Sequence, residues 1–424
     1  MTVRLNRVVH LRPSGDIGFR RHANRELRWC AVTVERKRRV SRMRSPRSLL
    51  RPSSLPGAAR ALGAGLLALI SAVLTGCGPQ ADGLIRPTPA SNHRLEIELD
   101  PRVELLGLMR LMSRSDPRFD TLDFAYARQV REHFRAFAGH PTLRRFADAD
   151  RALGGGDLPA WVLLHHAATA DWPQIAPYPA LIAELVADPH APTRMVEAVR
   201  EFSRATDFLA FFAACTTEHG ELTTAIRREL GEGSRLLGAL EAYHGRSLAR
   251  YRVIAAPLLH DANYGLRVNL PDGGVDTCAI IVRRRVRKGR AEFGNSAELR
   301  PLLWHEFGHS LVNPIVDADL ARLAPLSPVL VPAGGRMPAG NYGERTATYV
   351  HEYLVRAIGV RLTAGFAGAK AGEIELQRQI KVGFVHLPKL CARLEEFERA
   401  RGRFPSFADF FPVILEEIAT WRAE

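Results

Sequence analysis

The sequence predicts an α+β protein: a mainly helical N-terminal layer, a small group of strands, and helices from there to the C-terminus. Three observations predict it. Apolar residues recur at helical spacing in segments between Val103 and His244. Runs with β-branched residues and partial alternation follow at Tyr251–Ala255, Tyr264–Leu270 and Thr277–Val282. The helical period then returns, and no internal repeat interrupts either half.

The first 92 residues are predicted to stand outside this fold. Residues 1–42 have no apolar period, and Met43 is a natural start, so they read as an over-extended N-terminus. Residues 43–76 have the order of an export signal. Arg44, Arg47, Arg51 and Arg60 precede an apolar run from Ala61 to Leu74, and Leu74-Thr75-Gly76-Cys77 closes it. An apolar run of that length is short for a bilayer span. The ending resembles a bacterial lipobox, which implies cleavage before Cys77 and lipid modification of its thiol. Gly78 rather than Asp after Cys77 leans toward the outer membrane by the same resemblance. Residues 77–92 carry Pro, Gly and Ser without a hydrophobic period and read as a tether. The expected location is the bacterial cell envelope, with membrane contact through the lipid anchor.

The net charge of +14 belongs to this leader. Residues 1–76 hold 16 of the 59 Lys and Arg but only three of the 45 acids, leaving 43 basic against 42 acidic residues beyond them. A nearly neutral body argues against a nucleic-acid partner. Cys30 and Cys77 precede the body, so only Cys215, Cys278 and Cys391 remain. Their wide spacing matches no zinc knuckle, and buried small residues are the expectation.

Within the body, 93–248 reads as the helical region and 249–424 as the catalytic one. A short strand, His93–Leu99, is followed by helices near Val103–Met112, Leu122–Phe137, Ala160–Ala168, Pro179–Ala187, Thr193–Cys215 and Glu221–His244. His140-Pro141, Gly154-Gly155-Gly156 and His219-Gly220 punctuate them. His165 and His166 are adjacent, so on a helix they diverge by about 100° and are expected to be structural. In the second region Pro271-Asp272-Gly273-Gly274 reads as a turn between strands. The basic run from Arg283 to Arg290 reads as a solvated loop. Later helices are expected at Gly343–Ala364, Glu373–Gln379, Leu387–Ala400 and Ser406–Trp421.

Between strands and later helices stands His305-Glu306-Phe307-Gly308-His309. Two histidines four apart share one helical face, so both imidazoles can reach one ion. Glu306 falls beside that ion, placed to take a proton from water. Chance alone gives this pattern in roughly three chains per hundred of such composition, so the flanks carry weight. Asn295 with Glu298 three residues later reads as an N-cap and capping box. Glu306 is the only formally charged residue between Pro301 and Val312, as expected of a buried helix, and Asn313-Pro314 reads as its end. Gly308 costs about 1 kcal/mol in a helix interior, which implies close approach of another element there. Strands leading directly into such a helix give the order of a zincin-like region with Zn2+ as cofactor.

A catalytic zinc commonly takes three protein ligands. Val312 and Ile315 occupy the places where a metzincin carries Gly and its third His, so that pattern is excluded. Asp317 and Asp319 follow closely, and the helix at Gly343–Ala364 offers Glu344, His351 and Glu352. Periodicity leaves these open, since Glu344 and His351 border the apolar stripe while Glu352 lies with Thr348, Val355 and Gly359 on a small-residue stripe. The segments 304–314 (WHEFGHSLVNP) and 349–362 (YVHEYLVRAIGVRL) resemble a family of bacterial zinc metallopeptidases with gluzincin features. The resemblance extends weakly through 95–112 and 131–141, and only the H-E-x-x-H segment is specific. It implies Glu352 as third ligand, ahead of Glu344 and His351. The expectation is therefore an envelope zinc hydrolase acting on a peptide or protein substrate, with His305, His309 and Glu352 as ligands and Glu306 as general base. Two readings compete: a non-catalytic scaffold lipoprotein with a structural zinc, and a zinc amidase acting on cell-wall bonds. Tyr264, His260 and Tyr342 stand near turns as oxyanion donors in principle, and none is assigned.

Overall fold

A computed structural model describes residues 93–421 apart from 115, 180–181, 183–184, 232, 261 and 327–345. The leader, Cys77, the tether, Tyr342 and Glu344 lie outside the described residues, as does much of the helix expected at Pro179–Ala187.

A four-stranded sheet organises the fold: β1 (Leu95–Glu98), β2 (Arg250–Ala256), β3 (Tyr264–Asn269) and β4 (Val275–Val282), in the order β1-β2-β4-β3. β1 runs parallel to β2 and β2 parallel to β4, while β3 is an antiparallel edge. The sequence dictates these places. β2 and β4 are buried almost throughout, as central strands with both faces covered must be, and their polar members Arg252 and Asp276 pair with each other within the sheet at 3.1 Å. β3 alternates buried and half-buried residues, as a strand with one packed face does. β1 joins a sheet whose other members follow some 150 residues later, because a parallel pair needs a crossover and the helical layer supplies it.

That helical layer departs from the expectation at several points. The helix expected at Thr193–Cys215 is two, Ala191–Ala205 and Phe208–Ala214, because Asp207 between them takes a positive φ of 50°. The one expected at Glu221–His244 is also two, Thr216–Leu230 and Ser234–His244, separated where Gly231 and Gly233 take positive φ. His219-Gly220 lies inside the first of these and breaks nothing. A helix at Thr142–Ala152 was not expected; its buried Leu143, Phe146 and Ala149 face the core at helical spacing. The basic run is not an open loop but a hairpin, β5 (Arg285–Arg287) with β6 (Arg290–Glu292). Lys288 and Gly289 form its tip with φ of 51° and 69°, the backbone of a tight hairpin turn. His165 and His166 are buried structural groups: each Nδ1 lies 2.8 Å from a backbone carbonyl, of Trp161 and Trp172 respectively. Cys215, Cys278 and Cys391 are buried and free.

The motif helix spans Ser296–Asp317, and Asn295 caps it with the full capping box to Glu298. It does not stop at Asn313-Pro314. Pro314 has no N–H, so the Ser310 carbonyl lacks its helical partner; Arg267 of β3 donates to that carbonyl instead, at 3.1 Å. The helix therefore survives its internal proline with the help of the sheet edge. It rests on the sheet through Thr277, whose hydroxyl lies 2.5 Å from that of Ser310. On the other side, Trp304 donates to the Leu236 carbonyl of the helical layer. The next long helix, Thr346–Ala367, packs along the motif helix and carries Glu352. The helices Ala369–Lys381, Leu387–Arg399 and Phe407–Ala419 complete the chain and bury Leu390, Leu394, Phe397, Phe410 and Ile414.

Candidate metal centre

Three side chains converge where the motif helix meets Thr346–Ala367. The Nε2 atoms of His305 and His309 are 3.4 Å apart. Glu352 Oε2 lies 3.8 Å from His305 Nε2, and Oε1 lies 3.5 Å from His309 Nε2. Ligand atoms about 2.0–2.2 Å from a tetrahedral ion stand roughly 3.3–3.5 Å from one another. Each imidazole faces a different oxygen of Glu352, at separations close to those between ligands of one ion, and two imidazoles with a carboxylate form a donor set that could hold a metal ion. Among the described residues this is the one group of three His, Cys, Asp or Glu side chains so arranged.

Glycine and small side chains allow the approach. A Cβ on Gly265 of β3 would stand 2.2 Å from the Glu306 carbonyl oxygen and 2.9 Å from its Cα, so the edge strand presses directly on the motif backbone. Gly308 faces Val355, whose Cγ1 would be 3.4 Å from an added Cβ. The close approach expected at Gly308 is present, made by the stripe on which Glu352 stands, yet it leaves room for a methyl group. The tighter constraint is at Gly265, a position that pattern reading passed over because its partner is 41 residues away.

Neighbours orient each ligand. Asn313 Oδ1 lies 3.2 Å from His309 Nδ1. With the carbonyl oxygen as acceptor, Nδ1 carries the proton and Nε2 keeps its lone pair for a metal. Arg356, one turn after Glu352, donates from Nε at 3.0 Å and Nη2 at 2.7 Å, both to Oε2. Its Nη1 donates to Gln379 at 2.7 Å, and its guanidinium lies 4.2 Å from the Phe384 ring centre. Arg356 and Asn313 belong to the site although no motif announced them; their i,i+4 spacing to the ligands was the available signal.

Burial and charge set the protonation states. Burial drives both histidines toward the neutral form; Arg356 adds to this at His305, while at His309 Glu352 opposes it. Burial alone would raise Glu352, but Arg356 and the two histidines outweigh it and hold the carboxyl at about 2. Glu306, 5% exposed, is pushed well above the usual carboxylate range, first by burial and then by Glu352. Two carboxylates side by side thus differ in character, one firmly ionised and one with a high proton affinity.

The other candidates are engaged elsewhere. His351 pairs with Asp317 at 2.9 Å, Asp319 with Arg322 at 2.9 Å, and His260 stands 3.7 Å from Asp116. None of these joins the triangle. Tyr264 is buried on β3. Asp157, also passed over in the sequence, is pushed above the usual carboxylate range, first by burial. A cavity of about 1060 Å³ lies apart from the triangle, against the β5–β6 hairpin, with Tyr126, Glu221, Arg290 and Glu298 in its wall. No helix among the described residues is long and apolar enough to cross a membrane.

Compared with known proteins, residues 167–417 match the model of a domain of unknown function, DUF4932, a stretch that includes the triangle and Glu306. No curated protein and no solved structure matches. The chain is a member of the DUF4932 family.

Proposed function

We propose that this protein is a zinc-dependent hydrolase, a peptidase of gluzincin type, held in the bacterial cell envelope by a lipid on Cys77. The observation that carries the reading is the 3.4–3.8 Å triangle of His305, His309 and Glu352 with a buried carboxylate, Glu306, on the same helix. A Zn2+ in that triangle would supply the positive charge that lets Glu306 ionise at neutral pH, together with the Lewis acidity that activates water and polarises a carbonyl.

The chain's own groups do the rest. Glu306 accepts the proton of the attacking water and passes it to the leaving amine, a task for which its raised proton affinity suits it. His305 and His309 stay neutral and offer Nε2, the latter fixed by Asn313. Arg356 keeps Glu352 ionised and binds Oε2, the oxygen nearer His305, which leaves Oε1 toward His309. A structural zinc would need no general base, so the intact Glu306 favours an enzyme over a scaffold. The ending Leu74-Thr75-Gly76-Cys77 supports the envelope location.

The test is hydrolysis of unfolded proteins and of cell-wall fragments by zinc-loaded protein, with and without chelator. Chelator-sensitive cleavage of polypeptide is the expected result. Cleavage confined to cell-wall fragments would reassign the substrate, and zinc-loaded protein that cleaves neither class would favour the scaffold reading.

A further inference from the structure

Arg356 lies one turn after Glu352 on the helix Thr346–Ala367, and its grip on that carboxylate is one-sided. Nε at 3.0 Å and Nη2 at 2.7 Å both donate to Oε2, and among the described residues no hydrogen bond reaches Oε1. A guanidinium fork more often spreads over both oxygens of a carboxylate. Each carboxylate oxygen has about two acceptor sites, so the protein fills Oε2 and leaves Oε1 open. Oε1 faces His309 Nε2 at 3.5 Å within the three-residue group.

The guanidinium is held in place from the next helix, Ala369–Lys381, and the turn after it. Nη1 donates at 2.7 Å to the side-chain carbonyl of Gln379, which is 4% exposed. The cation also stands 4.2 Å from the Phe384 ring centre, within range of cation–π attraction. The Gln379 amide is fixed in turn: its nitrogen donates to Glu375 at 2.6 Å, and Arg378 donates to the same carboxylate at 2.6 and 2.8 Å. The two helices meet closely, since a Cβ on Gly372 would stand 2.5 Å from the Ala364 Cβ. Neither Gln379 nor Phe384 belongs to the three-residue group, yet both bear on it through Arg356.

We propose that Arg356 is a positioning residue that limits Glu352 to a single bond with the metal, through Oε1, and that Gln379 holds Arg356 to this task. The inference rests on the metal-centre reading and adds to it the number of oxygens that Glu352 gives. A carboxylate free at both oxygens can close on an ion with both, and two imidazoles with such a chelate already supply four ligand atoms. Limited to one oxygen, the set supplies three and keeps the position that a catalytic zinc reserves for water. Outer partners of this kind orient metal ligands in general. Lysine could not do the same, because an ammonium lacks the planar two-donor fork.

Cobalt(II), which absorbs visible light strongly with four ligands and weakly with five, reads this out without turnover. Purified wild type loaded with cobalt should absorb strongly. Arg356→Met frees Oε2, and the absorption should fall severalfold as the second oxygen joins the ion. Gln379→Leu, which touches neither ion nor ligand, should shift the spectrum in the same direction at equal metal content. A crystal structure of zinc-loaded wild type answers the question even where a variant fails to fold: one Glu352 oxygen on the ion, with Arg356 on the other, is expected. Both oxygens on the ion, or a spectrum unchanged in both variants, would overturn the proposal. A change in Arg356→Met alone would strike Gln379 from it. A lowered unfolding midpoint with the spectrum unchanged would leave Arg356 a merely structural residue, which also overturns it. Wild type that takes up no metal refutes the underlying reading instead, so the two failures are distinct.

Discussion

Gly265→Ala should be far more damaging than Gly308→Ala, although only the second alters the H-E-x-x-H pentapeptide. The added Cβ at position 265 would lie 2.2 Å from the Glu306 oxygen, 2.8 Å from its carbonyl carbon and 2.9 Å from its Cα. All three are backbone atoms of a buried helix, so no side chain can swing away. Restoring a normal contact of about 3.4 Å or more requires strand and helix to separate by roughly 1 Å, and overpacking of this kind costs about 1–3 kcal/mol or more. For a body of this size, that lowers the unfolding midpoint by about 2–4 °C per kcal/mol. The same displacement moves Glu306 relative to the sheet edge, and a misplacement of about 1 Å can cost roughly 100-fold in turnover. At position 308 the new Cβ would meet Val355 at 3.4 and 3.6 Å, near ordinary contact. Alanine there also recovers about 1 kcal/mol of helix propensity. Thermal unfolding of both variants, with zinc content measured in parallel, checks the pair. An unchanged midpoint for Gly265→Ala, or a larger loss for Gly308→Ala, would refute the packing argument.

Three further outcomes are expected. Glu306→Gln should retain zinc while turnover falls at least about 100-fold; in metal-free protein it should also raise stability at pH 7. That sign follows because the folded-state pKa of Glu306 is raised, so its contribution falls as pH rises above the unfolded value of 4.5; denaturant midpoints at pH 4 and 7 measure it. Glu352 has the opposite sign: its depressed pKa stabilises metal-free protein by about 3 kcal/mol above pH 4.5, lost as pH falls from there through about 2. Glu352→Gln should accordingly flatten the acid limb of the stability curve. Arg267→Met should cost about 1–3 kcal/mol by leaving the Ser310 carbonyl unpaired, and Pro314→Ala, which supplies the missing helical N–H, should recover most of it; additive losses in the double variant would refute that pairing.

The parts of the fold and site that were legible in the sequence are those set by local spacing. His305 and His309 share a face because they are one helical turn apart, the capping box announced the helix start, and β-branched residues announced β2 and β4 as strands. Features that depend on distant partners were not legible. Pro314 reads as a terminator unless Arg267 is known to serve the carbonyl it orphans. Gly265 looks ordinary until the motif backbone is seen against it. The wheel of Thr346–Ala367 left Glu352 and His351 undecided, since both adjoin buried faces; Asp317 draws His351 away, and Val355 against Gly308 turns the Glu352 stripe toward the histidines. Asp207 split a helix whose apolar period runs on unbroken, because a single positive φ leaves no trace in the pattern.

Zinc content and affinity, measured on purified wild type and on Glu352→Ala, test the central claim most directly. About one zinc per chain is predicted for the wild type, with X-ray absorption reporting two imidazoles and a carboxylate in the first shell. Glu352→Ala should bind the ion far more weakly, while Asp317→Ala, which lies beside His351 and outside the three-residue group, should bind it normally. Folded wild type that takes up no zinc, or a Glu352→Ala variant whose affinity is unchanged, would contradict the assignment.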